Sequence, residues 1–342
     1  MPNSQEPNPL APVENKEPAP RRLPVPRGAT ILVTGGAGFI GSNICHYLAG
    51  RGVRLRVLDN LSTGSLANLE GIEGEVDFIE ADLAELELVR KAMEGVDFVL
   101  HQGALPSVPR SIDDPLASHA ANATGTLNVL VAASTAGVNR VVYASSSSVY
   151  GNSAELPKRE DMTPAPISPY AAGKLAGEHY CRAFFSVHGL KVVVLRYFNV
   201  FGPRQNPYSA YAAVIPKFAI CLLAGEPPTV YGDGEQSRDF TYVDNVVEAN
   251  LLALQAAQAP GRIFNIACES AITLNQVLAI LQQLTGLEIG PRHGPPRPGD
   301  VRHSLADISL ARGALGYEPT VTVEEGLRRT VAYWEAALNN DR

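Results

Sequence analysis

Long apolar runs are missing from this 342-residue sequence. A membrane-spanning helix needs about 20 apolar residues, whereas the most apolar stretch, residues 211–225, is interrupted by Pro216 and Lys217. Basic residues are in the minority, with 28 lysines and arginines against 35 aspartates and glutamates, a formal net charge of −7. A net negative chain is repelled by the phosphates of nucleic acids and anionic lipids. We therefore expect neither a membrane nor a nucleic acid as partner.

Cysteine is also scarce. The four cysteines, Cys45, Cys181, Cys221 and Cys268, are far apart in sequence, which argues against the paired spacing of zinc sites and of disulfide frameworks. The seven histidines show no ligand spacing either, so we predict no metal site. Isolated thiols are typical of a reducing compartment, and we expect a cytoplasmic protein.

The first 27 residues contain eight prolines and little apolar periodicity, and they lack the continuous apolar segment of a signal peptide. This composition predicts a disordered tail. The remaining 315 residues, 28–342, are enough for two lobes with cores of their own.

Strand and helix patterns alternate through the first half of the chain. Strands are predicted at 29–34, 53–58, 76–80, 97–101, 140–145 and 191–197, with helices from 39 and 84, around 117–136 and after 168. Such alternation predicts an α/β fold with a doubly wound, mostly parallel Rossmann sheet over residues 28–200. Residues 201–342, with helices at 211–224 and from 273, 307 and 324 and short strands at 229–231 and 263–266, predict a smaller substrate-binding lobe.

Three glycines punctuate the junction between the first strand and its helix: Gly35, Gly38 and Gly41. They suit a tight turn, close approach of a pyrophosphate and close packing of helix on strand, although many such turns carry glycine for packing alone. Asp59 ends the second strand, 18 residues after Gly41, near the spacing of a ribose-binding carboxylate. The combination predicts a dinucleotide site that favours NAD over NADP.

Tyr170 and Lys174 lie four residues apart, one turn of a helix that Ser168 can cap and Pro169 can begin. A phenol beside a fixed cation loses its proton more easily. Tyr170 is therefore a candidate general base for a sugar hydroxyl, with a nicotinamide taking the hydride.

These motifs together resemble the extended short-chain dehydrogenase/reductase superfamily, in its nucleotide-sugar epimerase branch. They are the three-glycine turn, the serine run 145–148 that leads into Val149-Tyr150-Gly151, and Tyr170-x-x-x-Lys174. Further similarity lies at 82–83, 101–104, 196–205, 232–240 and 297–304. The stretches 105–111 and 212–217 are similar to UDP-N-acetylglucosamine 4-epimerases in particular.

The resemblance implies an isomerase, an NAD-dependent UDP-hexose 4-epimerase that acts through a transient 4-keto sugar. Tyr170 would exchange the C4 hydroxyl proton, Lys174 would lower its pKa, and Ser146 and Ser148 would hold the C4 oxygen. The same resemblance implies that residues 239–256 return to the dinucleotide lobe. It also implies a homodimer built from the helix around 117–136 and the Tyr170 helix.

Binding residues follow from the same resemblance. The NAD set is Gly35, Gly38, Phe39, Ile40, Gly41, Asp59, Asn60, Ser62, Thr63, Gly64, Asp82, Leu83, Gln102, Ala104, Asn122, Tyr170, Lys174, Tyr197 and Val200. The UDP-sugar set is Ser107, Ser146, Ser147, Asn199, Val214, Tyr231, Arg238, Arg297, Asp300 and Ser304. In this set Arg238 and Arg297 would bind the diphosphate and Tyr231 would stack on uracil.

The resemblance also implies that Ser304 stands at the position that borders the sugar C2 group in this family. Serine there leaves room for an N-acetyl arm, which implies UDP-GlcNAc/UDP-GalNAc interconversion together with UDP-Glc/UDP-Gal activity. A UDP-glucuronate 4-epimerase is the alternative. A sugar dehydratase ranks lower, because the dehydratases that this family resembles carry an acid pair where this chain has Ser147 and Ser148. A non-catalytic NAD-binding sensor also ranks lower, because such proteins usually lack the tyrosine or the lysine, whereas Ser146, Tyr170 and Lys174 are all present here.

Overall fold

The computed structural model describes residues 25–209, 212–295 and 302–340. Most of the predicted tail, residues 1–24, lies outside this range. The strands are β1 Thr30–Thr34, β2 Arg54–Asp59, β3 Val76–Glu80, β4 Phe98–His101, β5 Arg140–Ser146, β6 Val192–Tyr197, β7 Val200–Phe201, β8 Thr229–Tyr231, β9 Ser237–Asp239, β10 Thr241–Tyr242, β11 Ile263–Ile266, β12 Ala271–Thr273 and β13 Arg292–Gly294.

The helices are α1 Phe39–Leu48, α2 Leu86–Ala92, α3 Val108–Asp113, α4 Pro115–His119, α5 Gly125–Ala136, α6 Pro169–His188, α7 Val214–Leu223, α8 Val243–Gln255, α9 Leu274–Thr285, α10 Ser309–Leu315 and α11 Val323–Asn340. A π-helical turn at Ala120–Thr124 joins α4 to α5, so the helix predicted around 117–136 has an interruption. Within the described residues, no helix has the length and apolar character to cross a membrane.

A seven-stranded sheet forms the centre of the molecule, in the order β11-β6-β5-β4-β1-β2-β3. All of its neighbouring strands pair in parallel. Every residue of β1 and β6 is buried, as expected of a parallel sheet covered on both faces. The predicted doubly wound fold is confirmed.

Helices cover both faces of this sheet. One core cluster joins Ile44 of α1 and Val246 of α8 to the sheet. Another contains Val89 of α2 and Val129 of α5, together with Cys181 of α6. The strand order reverses between β1 and β4, and in such a sheet ligands bind at the carboxyl ends of the strands beside this point.

The C-terminal part has a core of its own, which includes Phe218 of α7, Val277 of α9 and Leu327 of α11. The sequence pattern grouped strand 263–266 with this part. The structure instead pairs β11 with β6, so that Phe264 lies beside Leu195 in the main sheet. Its pairing partner lies about 70 residues earlier in the chain, and a four-residue apolar run gives no local sign of that pairing. The division into two lobes stays a prediction.

Candidate active site

The glycine turn between β1 and α1 is built without room for side chains. Gly35 has a left-handed φ of 67°, and a Cβ there would lie 2.6 Å from Gly103 Cα. A Cβ on Gly41 would lie 2.1 Å from the Gly35 carbonyl oxygen. Gly38 caps α1 in an extended conformation. The backbone at the N-terminus of α1 therefore faces the cleft with no side chain in between, which suits an anionic group such as a pyrophosphate.

Asp59 lies at the carboxyl end of β2 beside this turn. Its Oδ2 accepts a hydrogen bond from Ala37 N at 3.0 Å, and its Oδ1 accepts one from Leu61 N at 2.8 Å. Burial raises the pKa of Asp59, and the backbone N–H groups of Leu61, Ala37 and Gly38 oppose that rise. Each carboxylate oxygen keeps acceptor capacity for a ribose hydroxyl.

The cleft at this end of the sheet contains nearly all the residues predicted to bind NAD. Its lining includes Gly35, Gly38, Phe39, Ile40, Gly41, Asp59, Asn60, Ser62, Thr63, Asp82, Leu83, Gln102, Ala104, Tyr170, Lys174 and Tyr197. Three predicted residues, Gly64, Asn122 and Val200, are not in this lining. The glycine turn, Asp59 and the lining fit a bound dinucleotide.

Asn122 has a different position from the one predicted. It is completely buried, and its amide accepts from Leu105 N at 2.9 Å and donates to Leu105 O at 3.1 Å. It therefore supports a cleft wall from behind. Asn250 of α8 has a comparable position, with its Nδ2 donating to Tyr197 Oη at 2.8 Å and its Oδ1 accepting from Gln102 Nε2 at 3.0 Å. No local sequence pattern marks Asn250 as a site residue.

Tyr170 lines two clefts at once, the dinucleotide cleft and a larger one beside it. Ser168 Oγ caps its helix by accepting from Ala171 N at 3.2 Å, as predicted. Burial raises the pKa of Tyr170, and a hydrogen bond from Ser146 opposes that rise. Ser148 Oγ in turn donates to Ser146 Oγ at 2.9 Å. A phenol and two hydroxyls thus form a connected set at the junction of the clefts.

Lys174 is oriented away from the predicted contact. Its ammonium donates to the Ala144 carbonyl at 2.8 Å and lies 5.1 Å from the centroid of the Tyr143 ring. Among the described residues, the groups that shift the pKa of Tyr170 do not include Lys174. The ammonium is held by the backbone of β5, in the lining of the dinucleotide cleft.

The larger cleft, called the substrate cleft below, brings together six of the residues predicted to bind the sugar nucleotide. They are Ser107, Ser146, Ser147, Asn199, Arg238 and Ser304. Gly64, predicted for NAD, also lines this cleft, and so does Ser148. Arg297 and Asp300 lie outside the described residues.

Val214 and Tyr231 do not line the substrate cleft within the described part of the chain. Val214 begins α7 and packs against the C-terminal core. Tyr231 ends β8 beside Gly294 of β13. Sequence reasoning missed Lys158, Arg204 and several other lining residues, including His303, Tyr333 and Trp334. Arg204 and His303 carried one signal, because they lie in the stretches 196–205 and 297–304 that contribute to the resemblance.

No metal centre is apparent among the described residues, where no three His, Cys, Asp or Glu side chains form a group able to hold an ion. His101 hydrogen-bonds Thr34 Oγ1 at 2.7 Å and Thr126 Oγ1 at 3.0 Å. Burial lowers its pKa to about 3, so the imidazole is neutral and serves in packing. All four cysteines are free.

Residues 31–267 match the model of the NAD dependent epimerase/dehydratase family. The chain belongs to this family. A UDP-N-acetylglucosamine 4-epimerase from Methanobrevibacter ruminantium, solved with UDP-N-acetylmuramic acid, is 39% identical, with a TM-score of 0.86 over 91% of this chain and 99% of that one. A UDP-glucose 4-epimerase from Thermus thermophilus, solved with NAD, is 39% identical, with a TM-score of 0.82 over 90% and 99%.

A UDP-glucuronate 4-epimerase from Thermodesulfobacterium geofontis is 33% identical over 88% of this chain and 94% of its own length. The similarity to these 4-epimerases extends over about nine-tenths of the chain, which makes the chain an isomerase, a UDP-sugar 4-epimerase that uses NAD. The resemblance that the sequence motifs carried is confirmed. The names of the relatives span N-acetylated, neutral and acidic sugars, so they leave the sugar itself open.

Proposed function

We propose that this epimerase interconverts UDP-GlcNAc and UDP-GalNAc, with UDP-Glc/UDP-Gal activity as well, and that Tyr170 is its general acid and base. The observation that carries the proposal is the position of Tyr170 in the lining of both clefts, in contact with Ser146. A sugar in the substrate cleft can meet the phenol and a coenzyme at one carbon only at this junction.

The side chains at the junction handle the proton. Tyr170 takes it from the C4 hydroxyl and later returns it to the C4 oxygen of the 4-keto sugar, while Ser146 and Ser148 keep that oxygen within hydrogen-bond reach. The glycine turn and Asp59 would hold NAD in the dinucleotide cleft, where it would supply reversible hydride transfer at C4 of the sugar. Arg238 and Asn199, which line the substrate cleft, would bind the diphosphate of the substrate.

Arg238 and Ser304 belong to one connected wall of the substrate cleft. Ser304 N donates to Ser237 O at 3.1 Å, and Arg238 Nη1 donates to the carbonyls of Ser237 at 2.9 Å and Arg302 at 3.2 Å. A small serine in this wall leaves space beside the sugar, which favours an N-acetyl arm. UDP-glucuronate remains the second candidate because the relatives include enzymes of that name.

The direct test incubates the purified chain with UDP-GlcNAc, UDP-Glc and UDP-glucuronate separately, with no coenzyme added, and separates the epimers by chromatography. We expect UDP-GalNAc to form fastest, UDP-Gal next and UDP-galacturonate slowest. Fastest turnover of the glucuronate would replace the proposed substrate, and no turnover of any of the three would contradict the proposed function.

We also propose that the chain is a cytoplasmic protein and a homodimer. Its interface would be formed by α6 and by the interrupted helix predicted around 117–136, to which α4 and α5 belong. Exposed apolar side chains lie on both helices: Leu116 of α4 is 81% exposed and Val187 of α6 is 76% exposed. Helices α4 and α6 pack against each other, so these side chains offer an apolar surface that a second copy could cover.

Leu116→Glu tests this surface. A carboxylate on an apolar interface is costly to desolvate, so we expect the mass measured by light scattering after size exclusion to fall from dimer to monomer. Leu287→Glu is the matched control, because Leu287 is exposed but follows α9, and it should leave the mass unchanged. A monomeric wild type would contradict the dimer.

A further inference from the structure

A buried ion pair joins the Tyr170 helix to the sheet behind the candidate site. Arg196 of β6 donates to Glu178 of α6 from Nε at 2.9 Å and from Nη2 at 2.6 Å. Both side chains are only 2% exposed. Apolar residues of similar size often replace such a pair without loss of stability. Its presence here therefore suggests a role in geometry.

The ion pair also contacts one wall residue of each cleft. Ser145 Oγ donates to Glu178 Oε1, and Ser145 lines the dinucleotide cleft. The Arg196 guanidinium lies 4.7 Å from the centroid of the Tyr150 ring, and Tyr150 lines the substrate cleft. The hydroxyl of Tyr150 is fixed in turn by donating to Asn265 Oδ1 at 2.7 Å.

Three members of this network are close neighbours in sequence of candidate site residues. Ser145 precedes Ser146, Arg196 precedes Tyr197, and Glu178 lies one helical turn after Lys174. A shift of α6 against β5 would therefore move the Tyr170 phenol away from Ser146. Misplacement by about 1 Å can cost on the order of 100-fold in rate.

We propose that Glu178 and Arg196 are a positioning pair for the epimerase reaction. The pair holds α6, the helix of Tyr170, in place against β5 and β6. This inference rests on the proposed function. Neither residue lines the dinucleotide cleft or the substrate cleft, so the pair acts through Ser145, Lys174 and Tyr150.

Glu178 also influences the charge of Lys174. Burial lowers the pKa of Lys174 to about 8, while Cys181 and Glu178 oppose that fall. The other titratable groups around Lys174 are uncharged near neutral pH, because burial raises the pKa of Cys181 and Tyr143 and lowers that of His101 to about 3. Glu178, paired with Arg196, therefore favours the protonated form of Lys174.

The pH dependence follows from these directions. Tyr170 must lose its proton to act as a base, so activity should rise with pH at first. Lys174 loses its charge as the pH rises through about 8, which weakens the hydrogen bond from its ammonium to the Ala144 carbonyl of β5, so activity should then fall. Without Glu178 the pKa of Lys174 would be lower, so this falling limb should begin at a lower pH.

The test replaces both partners with methionine, Glu178→Met and Arg196→Met, in the full chain. We expect a folded protein with NAD content and KM close to wild type, a kcat lower by roughly 10- to 100-fold, and a falling limb shifted to lower pH. The matched control, Glu87→Met with Arg90→Met, removes an exposed ion pair on α2 and should leave all four quantities unchanged.

Ser145→Ala is the second variant, in case the double replacement fails to fold. It removes only the hydroxyl that donates to Glu178, and we expect a several-fold loss in kcat with the fold intact. A folded double variant, or a folded Ser145→Ala, with wild-type kcat and pH profile would overturn the inference. A loss of kcat that only follows the fraction of unfolded protein would overturn it too. An inactive wild-type protein would instead contradict the proposed function itself.

Discussion

Tyr170→Phe is expected to reduce turnover of every UDP-sugar by on the order of 10²- to 10⁴-fold, the usual contribution of a general acid or base. The substitution removes only the hydroxyl, whereas the ring keeps its place in the lining of both clefts. Ser146 would lose the phenol that it contacts, and the C4 proton would have no acceptor at the junction.

Coenzyme binding should survive this change, because the glycine turn and Asp59 are untouched. The measurements are the initial rate with UDP-GlcNAc and UDP-Glc and the NAD content of the denatured protein. Tyr180→Phe provides the matched control, since Tyr180 lies on the same helix but is 38% exposed, and it should retain wild-type rates. Full activity in Tyr170→Phe would exclude the phenol as the base. Loss of NAD together with activity would make the loss one of binding.

The part of the site that the sequence could predict is the part encoded over short spans. The glycine turn, Asp59 at the end of β2, and the capped helix with Tyr170 and Lys174 each depend on a few neighbouring residues. Turn geometry and helical periodicity therefore predict them directly. The parallel sheet followed from the alternation of apolar strands and helices for the same reason.

The rest depends on contacts between segments distant in sequence. Asn250 reaches Tyr197 across 53 positions and Gln102 across 148, and no local pattern marks it. Trp334 belongs to α11 and enters the substrate cleft only because that helix packs beside α7 and α9. Lys174 also depends on a distant contact. Its spacing places it on the same helix face as Tyr170, but the spacing could not reveal that its ammonium donates to the Ala144 carbonyl.

Ser304→Tyr is expected to separate N-acetylated from plain sugars. The resemblance places position 304 beside the C2 group of the sugar, and the structure places Ser304 in the lining of the substrate cleft. The backbone here has little freedom to retreat, since Ser304 N donates to Ser237 O at 3.1 Å and Ser237 Oγ also hydrogen-bonds His303 Nδ1 at 2.9 Å. A tyrosine ring would therefore occupy space in the cleft itself.

An N-acetyl arm would meet that ring, whereas a C2 hydroxyl is small enough to pass it. We expect kcat/KM for UDP-GlcNAc to fall roughly 10- to 200-fold, the range over which a pocket discriminates by size, and kcat/KM for UDP-Glc to change by a few-fold at most. Ser309→Tyr, on the exposed first residue of α10, should change neither. Equal losses on both substrates would mean that position 304 does not contact the C2 group, and the preference for an N-acetylated sugar would then need another origin in the cleft.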